Sequence, residues 1–260
     1  MIQESGVVRK IYQVRRAIFG LTLELPAISQ LAQPGQFLHL LVPGTPGVLL
    51  RRPFSIAGVN GTQVELLIRI IGSGTEAISK FPIGFTGDVI GPLGRGFNID
   101  AVQHAFLVGG GIGAAPLLFL QDELERRKVE THFFLGARAH LEFPLPDDLV
   151  RKSSIHAATD DGSFGAAGFV SIVFEKWLEA NEHAHSHVYS CGPIAMMQEV
   201  SRICEKHGLP HQVSLENRMA CGIGVCQGCA MPMKNGFKLV CKEGPVSDAQ
   251  DVNWDVLRDF

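Results

Sequence analysis

Four of the six cysteines fall between positions 221 and 241, spaced Cys221-x4-Cys226-x2-Cys229-x11-Cys241. A C-x4-C-x2-C run forces a tight loop that turns three thiolates inward, and it is the ligand spacing of plant-type [2Fe–2S] centres. Glycines at 222, 224 and 228 let the backbone come close, so that its N–H groups can reach sulfur and tune the potential. Cys241 then closes the site from a following segment. A four-cysteine zinc site is the competing arrangement, but zinc ligands usually pair as two C-x2–4-C knuckles, and here the fourth cysteine stands alone. With no histidine in the run, a Rieske centre is disfavoured. The metal ligands expected are therefore Cys221, Cys226, Cys229 and Cys241.

Clustered cysteines in a chain of 260 residues are not the spread framework of a small secreted domain. The opening MIQESGVVRKIYQV lacks a basic head followed by an apolar stretch, so no secretory signal is expected and the reducing cytoplasm is the expected location. The most apolar stretch, 105–120, is shorter than a spanning helix needs and carries four glycines and a proline, so no membrane span is expected. The net charge of −3 gives no support for nucleic-acid binding.

The chain divides into three patterns. Over 1–99, apolar and β-branched runs at 36–42 and 64–71 alternate with turn signals, which predicts an antiparallel closed barrel or sandwich with one short helix near 76–80. Over 100–212, strands at 105–108, 132–135, 155–159 and 187–190 alternate with helices at 117–128, 169–180 and 194–207, the signature of a doubly wound parallel α/β sheet. From 213 to 260, glycines and cysteines break regular structure. The fold expected is multidomain β plus α/β with a small cluster domain at the end.

Two further motifs carry chemistry. Arg51-Arg52-Pro53-Phe54-Ser55 follows a strand, and Gly109-Gly110-Gly111-Ile112-Gly113-Ala114-Ala115-Pro116 lies between a strand and a helix. The second is not G-x-G-x-x-G, because Pro116 ends it. At these residues the chain resembles the ferredoxin–NADP reductase superfamily, whose members carry an Arg-x-Tyr-Ser-type flavin motif and a GGxGxxP loop. The resemblance assigns Arg52 to the FAD pyrophosphate, a group a guanidinium grips bidentately. It places Pro53, Phe54 and Ser55 against the flavin, with Phe54 replacing the commoner tyrosine. Leu67, Ile68 and Arg69 would line the flavin, and Gly74-Thr75 would open a short helix whose N–H groups face phosphate. Gly110, Gly111, Gly113 and Pro116, with the later turn Cys191-Gly192-Pro193, would take NAD. Cys204 reads as a buried structural thiol, and His183, His185 and His187 as a solvated connection before a strand.

Further stretches are PGQFLHL at 34–40, GPLGRGF at 91–97, ATDDGSFG at 158–165 and ENRMACGIGVCQGC at 216–229. Together with the short x11 gap they resemble the electron-transfer subunits of class 1B dihydroorotate dehydrogenases. That resemblance implies a partner, an FMN-containing catalytic subunit that oxidises dihydroorotate, in an assembly of two copies of each chain. Electrons would then pass through the cluster to FAD and on to NAD⁺. Two other readings stay open: the small subunit of an NADH-dependent ferredoxin–NADP or sulfide-type oxidoreductase, and a redox-sensing binding protein without turnover. No acid–base residue is assigned. Arg138, in FLGARAH after a central strand, leaves NADP open as the nucleotide.

Overall fold

The computed structural model describes residues 1–150 and 154–257. Six antiparallel strands close a barrel: β1 (Ile2–Arg15), β2 (Ile18–Glu24), β3 (Phe37–Leu40), β4 (Arg52–Asn60), β5 (Gln63–Arg69) and β6 (Thr86–Leu93), in the order β1-β2-β5-β4-β3-β6. Alternation builds the core. Val64, Leu66 and Ile68 of β5 point inward beside Phe19, Leu21 and Leu23 of β2, while Glu65 between them stays exposed. Helix α1 (Pro26–Leu31) buries Ile28 in this core, and the Glu4 carboxylate accepts the N–H groups of Ala27 and Ile28 at 3.0 and 2.9 Å. These are first-turn donors with no partner inside the helix. Helix α2 (Ser73–Ile78) begins earlier than the 76–80 read from sequence. The Thr75 hydroxyl explains this, because it accepts the N–H groups of Ile71 and Gly72 and stabilises the turn where the helix starts.

The second layer is a parallel sheet of β7 (His104–Gly110), β8 (Glu130–Ala137), β9 (Ile155–Thr159), β10 (Ala166–Ala167), β11 (Ser186–Cys191) and β12 (His211–Ser214). It is wound by α3 (Ala114–Arg126), the short α4 (Asp147–Val150), α5 (Val170–Ala180) and α6 (Ile194–His207). Leu117, Leu120 and Leu124 of α3 cover one face. Phe174 and Leu178 of α5, with Val200 and Ile203 of α6, cover the other. The strand order β10-β9-β8-β7-β11-β12 reverses direction between β7 and β11. In open α/β sheets the crevice beyond such a switch point is where ligands bind. The glycine turn after β7 and the Cys191-Gly192-Pro193 turn after β11 both emerge there.

The tail forms the hairpin β13 (Ala230–Met233) and β14 (Gly236–Leu239), then β15 (Val246–Asp248) and α7 (Trp254–Leu257). β15 leaves the hairpin and pairs antiparallel with β12, so the last segment completes the edge of the α/β sheet. β12 itself runs across positions 212 and 213, where the sequence pattern changes.

Two seams join the three parts. Phe119 of α3 is buried in the barrel core, and Ala115 of the same helix packs with Ile18, Ala57 and Leu67. Phe37 and Leu93 of the barrel share a core with Met197 of α6, Val213 of β12, and Cys229 and Cys241. Phe119→Ala is expected to lower stability by about 3 kcal/mol, the cost of emptying a buried aromatic site. Equilibrium denaturant unfolding checks it, and a loss under about 1 kcal/mol would show that this seam does not hold barrel and sheet together.

Candidate functional site

The candidate residues gather at three stations. The first is the start of β4. Arg51 and Arg52 are adjacent, yet the structure gives them different work. Arg51 Nη2 pairs with Asp88 at 2.5 Å and its Nη1 donates to the Asp88 carbonyl at 2.9 Å, which staples β4 to β6 and holds the Asp88 carboxyl below its usual range. Arg52 donates to the Leu50 carbonyl at 2.7 Å and turns toward the start of α2, where its Nε lies 3.0 Å from the place a side chain on Gly74 would begin. Arg52, Gly74 and Thr75 are thus brought together at the start of α2. Pro53, Phe54 and Ser55 are half-buried, with Phe54 resting on the barrel core. Ile68 points into that core and Leu67 packs against α3, so their side chains face away from solvent and only their backbone is free to meet a ligand. Arg69 leaves the barrel and reaches the second station.

That station is a cleft of about 730 Å³ at the switch point, lined among others by Arg69, Gly110, Gly113, Gly136, Pro193 and Glu216. Its floor is the meeting of two turns. A Cβ on Gly192, at φ +150°, would stand 2.9 Å from Gly110 Cα, and one on Gly113 would stand 2.5 Å from the Cys191 carbonyl oxygen. Backbone meets backbone with no room for a side chain, which leaves the floor open to a flat ligand. Gly110, Gly111, Gly113, Gly192 and Pro193 all line the cleft. Cys191 does not line the cleft; it is buried in the core behind it, and burial pushes its thiol pKa up, the setting of a packing residue. Pro116 is buried in the first turn of α3 and does not line the cleft; its position there suits the missing N–H. Cys204 is buried likewise, with its pKa raised.

Arg138 does line the cleft, but its Nε and Nη2 both donate to Glu142 Oε2, at 3.0 and 2.8 Å. Arg69 Nη2 lies 3.9 Å from the same oxygen. Asp160, Glu199 and Glu216 add acid to the walls.

The third station is the cysteine loop. The sulfurs fall as two pairs: Cys221 Sγ accepts the Cys226 N–H at 3.4 Å, and Cys229 Sγ accepts the Cys241 N–H at 3.5 Å. The x11 gap is the β13–β14 hairpin, which carries the chain out and back so that the Val240 N–H donates to the Cys229 carbonyl at 3.1 Å. Burial works against ionising Cys221, yet the N–H groups of Cys226, Ile223 and Val225 outweigh it and bring the thiol down to about 6. Cys241 is pushed up to about 12 by burial and by its neighbour Cys229. Among the described residues, no three His, Cys, Asp or Glu side chains converge on one point. The pairing of Cys221 with Cys226 and of Cys229 with Cys241 suits a [2Fe–2S] centre, in which each iron takes two thiolates. Amide donors aimed at sulfur fit the same centre.

The family described as the iron–sulfur cluster binding domain of dihydroorotate dehydrogenase B matches residues 216–253. The dihydroorotate dehydrogenase B (NAD(+)) electron transfer subunit of Desulforamulus reducens is 37% identical, over 94% of this chain and 96% of that relative. The protein of the same name from Enterococcus faecalis (strain V583) is 38% identical, over 96% and 98%. This chain belongs to the family of dihydroorotate dehydrogenase B electron transfer subunits. A solved NADH-dependent reduced ferredoxin–NADP oxidoreductase, described for its flavin-based electron bifurcation, superposes on this family member with a TM-score of 0.84 at 26% identity, over 98% of this chain and 91% of that one. The FAD/NAD-binding domain of a Vibrio cholerae nitric oxide dioxygenase shares the fold alone, with a TM-score of 0.66 at 18% identity over 80% and 97%.

Sequence reasoning missed two features of this family member. Glu142 carried no motif, and only its spacing of four from Arg138 hinted at the pair. His39, inside the quoted PGQFLHL, is completely buried beside the cysteine loop, with its pKa lowered to about 4 by burial and then by the Arg51 charge. His183 and His185 do lie in the connection before β11, and His183 Nδ1 bonds the Asn181 carbonyl at 3.0 Å, while His187 is on the strand.

Gly192→Ala is expected to force the two glycine turns apart and weaken NADH binding or hydride transfer about tenfold or more, since small misplacements near a reacting group are costly. Stopped-flow reduction of the bound flavin by NADH measures it. An unchanged rate and affinity would mean that the nucleotide does not use this floor.

Proposed function

We propose that this chain is the electron-transfer subunit of an NAD-dependent dihydroorotate dehydrogenase. It would join an FMN-containing catalytic subunit, in an assembly of two copies of each, to NAD⁺ in pyrimidine synthesis. The observation that carries the reading is the shared core in which Phe37 and Leu93 of the flavin barrel pack with Cys229 and Cys241. A chain that only bound nucleotide would have no use for a cysteine loop fixed to its barrel. When bound, FAD and the [2Fe–2S] centre supply the exchange between single-electron steps and hydride transfer.

The residues divide the remaining work. Arg52, with Gly74 and Thr75 at the start of α2, holds the FAD pyrophosphate, and Pro53, Phe54 and Ser55 support the flavin from β4. The backbone of Leu67 and Ile68 and the Arg69 side chain flank it. Gly110, Gly111, Gly113, Gly192 and Pro193 let NAD lie close to the sheet, with Cys191 and Pro116 setting the turns. Cys221, Cys226, Cys229 and Cys241 hold the cluster. The units are a barrel over 1–99, a nucleotide-binding sheet over 100–212 with β12 finishing just beyond it, and a cluster domain over 213–260. Ile223 and Val225 stand exposed on the cysteine loop and mark the side on which the catalytic subunit docks. No helix among the described residues is long and apolar enough to cross a membrane. Four thiolates that must stay reduced suit the cytoplasm.

NAD is favoured over NADP by the Arg138–Glu142 pair, which occupies the guanidinium a 2′-phosphate would want. Glu142→Ala is expected to free Arg138 and shift the NAD⁺/NADP⁺ preference toward NADP⁺ by about tenfold, the worth of one charge-assisted contact. Comparing kcat/KM for the two nucleotides measures it, and an unmoved ratio would place the ribose elsewhere.

The oxidoreductase superposed at a TM-score of 0.84 supports a second reading, a small subunit serving ferredoxin and NADP. One anaerobic assay separates the two: dihydroorotate-dependent NAD⁺ reduction, with and without the FMN-containing dihydroorotate dehydrogenase of the same organism. NADH formed only when both chains are present supports the pyrimidine assignment. No NADH from the pair, while NADH still bleaches this chain's flavin, would transfer the assignment to another redox partner. A flavin left oxidised by NADH would favour a sensing role without turnover.

A further inference from the structure

His39 sits in β3, fully buried, and neither of its ring nitrogens has a hydrogen-bond partner. A neutral imidazole has one N–H to give and one bare nitrogen to offer, and proteins rarely bury both unsatisfied. Such a group calls for a partner that a bound molecule supplies. Three neighbours indicate which molecule. Across the ladder His39 faces Pro53, flanked by Arg52 and Phe54. Phe37, two residues earlier, meets the His39 ring edge-on at 6.0 Å and belongs to the core that contains Cys229 and Cys241. On the remaining side lies the cysteine loop itself. A Cβ on Gly222 would come within 2.5 Å of the imidazole Cε1 and 2.6 Å of Nδ1.

Gly222 directly follows Cys221 and has φ +70°. Glycine is therefore required there twice, by the turn and by the ring pressed against it. The loop is folded onto the Nδ1 edge of His39, so an unpaired ring nitrogen faces the segment that directly follows Cys221. The barrel strand that carries this ring is hydrogen-bonded to the strand that carries the flavin motif.

We propose that His39 is a positioning residue for the iron–sulfur centre, whose imidazole N–H hydrogen-bonds the sulfur shell of the cluster from the barrel side and so seats the loop and raises the cluster's reduction potential. This rests on the [2Fe–2S] reading above. The direction follows from electrostatics: a donor aimed at sulfur stabilises the extra negative charge of the reduced centre. It makes His39 a means of matching the cluster to the flavin beside it, without touching substrate.

The test uses the full chain with its cofactors, labelled with ¹⁵N-histidine, reduced and examined by pulsed EPR, together with redox titration of the cluster. The wild-type spectrum is expected to show a ¹⁵N coupling to the cluster that vanishes in His39→Phe. The cluster potential is expected to fall in His39→Phe and to return toward wild type in His39→Gln, which keeps a donor. No ¹⁵N coupling in the wild type, a coupling that survives His39→Phe, or equal cluster potentials in wild type and His39→Phe would overturn the proposal. If His39→Phe does not hold its cluster, the wild-type spectrum and the His39→Gln potential decide alone. A chain that shows no [2Fe–2S] EPR signal at all would instead sink the cluster reading, and this proposal with it.

Discussion

Phe37 and Leu93 belong to the barrel, Met197 to helix α6 of the α/β layer, and Cys229 and Cys241 to the cysteine segment, yet all five are buried in one apolar core. Protein cores pack like molecular crystals and resist even small shifts. The spacing between the three stations is therefore set by side-chain packing and not by a tether. A redox chain needs this, because its groups exchange electrons only when their separation is held. The second seam, Phe119 in the barrel core, fixes the helix that begins at the glycine turn, so the floor of the cleft is tied to the same frame.

Charge is placed with equal economy. Arg51 and Arg138 are both engaged by carboxylates, Asp88 and Glu142, and act within the fold. Arg52, among the described residues, donates to the neighbouring Leu50 and Arg51 carbonyls and pairs with no carboxylate, which fits the pyrophosphate role proposed for it. The two neighbours at 51 and 52 are chemically identical; strand alternation sends one to the β6 staple and the other to the start of α2.

Much of this was legible in the sequence because it is local. Strand β9 and helix α6 fall on the spans read from periodicity, and the glycine turn, the Cys191-Gly192-Pro193 turn and the cysteine spacing are each contiguous motifs. What the sequence hid is what depends on distant partners. The start of α2 moved because a side chain inside the helix ties the residues before it. Leu67 and Ile68 were expected to line the flavin, but their side chains are claimed by α3 and the barrel core. Pro116 belongs to the glycine motif yet faces away from the cleft. His39 looked like one polar residue in an apolar strand, and only the folded loop at Gly222 shows what covers it. No pattern announced that β15 would join β12, since the cysteine loop and the β13–β14 hairpin lie between the two strands.

That last strand has a consequence for how the protein is made. During synthesis β12 leaves the ribosome with its outer edge bare, and an uncovered strand edge is a template for misassembly. The segment that covers it, Val246–Asp248, emerges only after Cys221, Cys226, Cys229 and Cys241 have all appeared. Every cluster ligand is thus available before the edge can close. The order of the chain puts the cysteine loop ahead of the strand that closes the sheet, so a nascent chain that stalls before residue 246 carries all four cysteines on a sheet whose β12 edge is still uncovered.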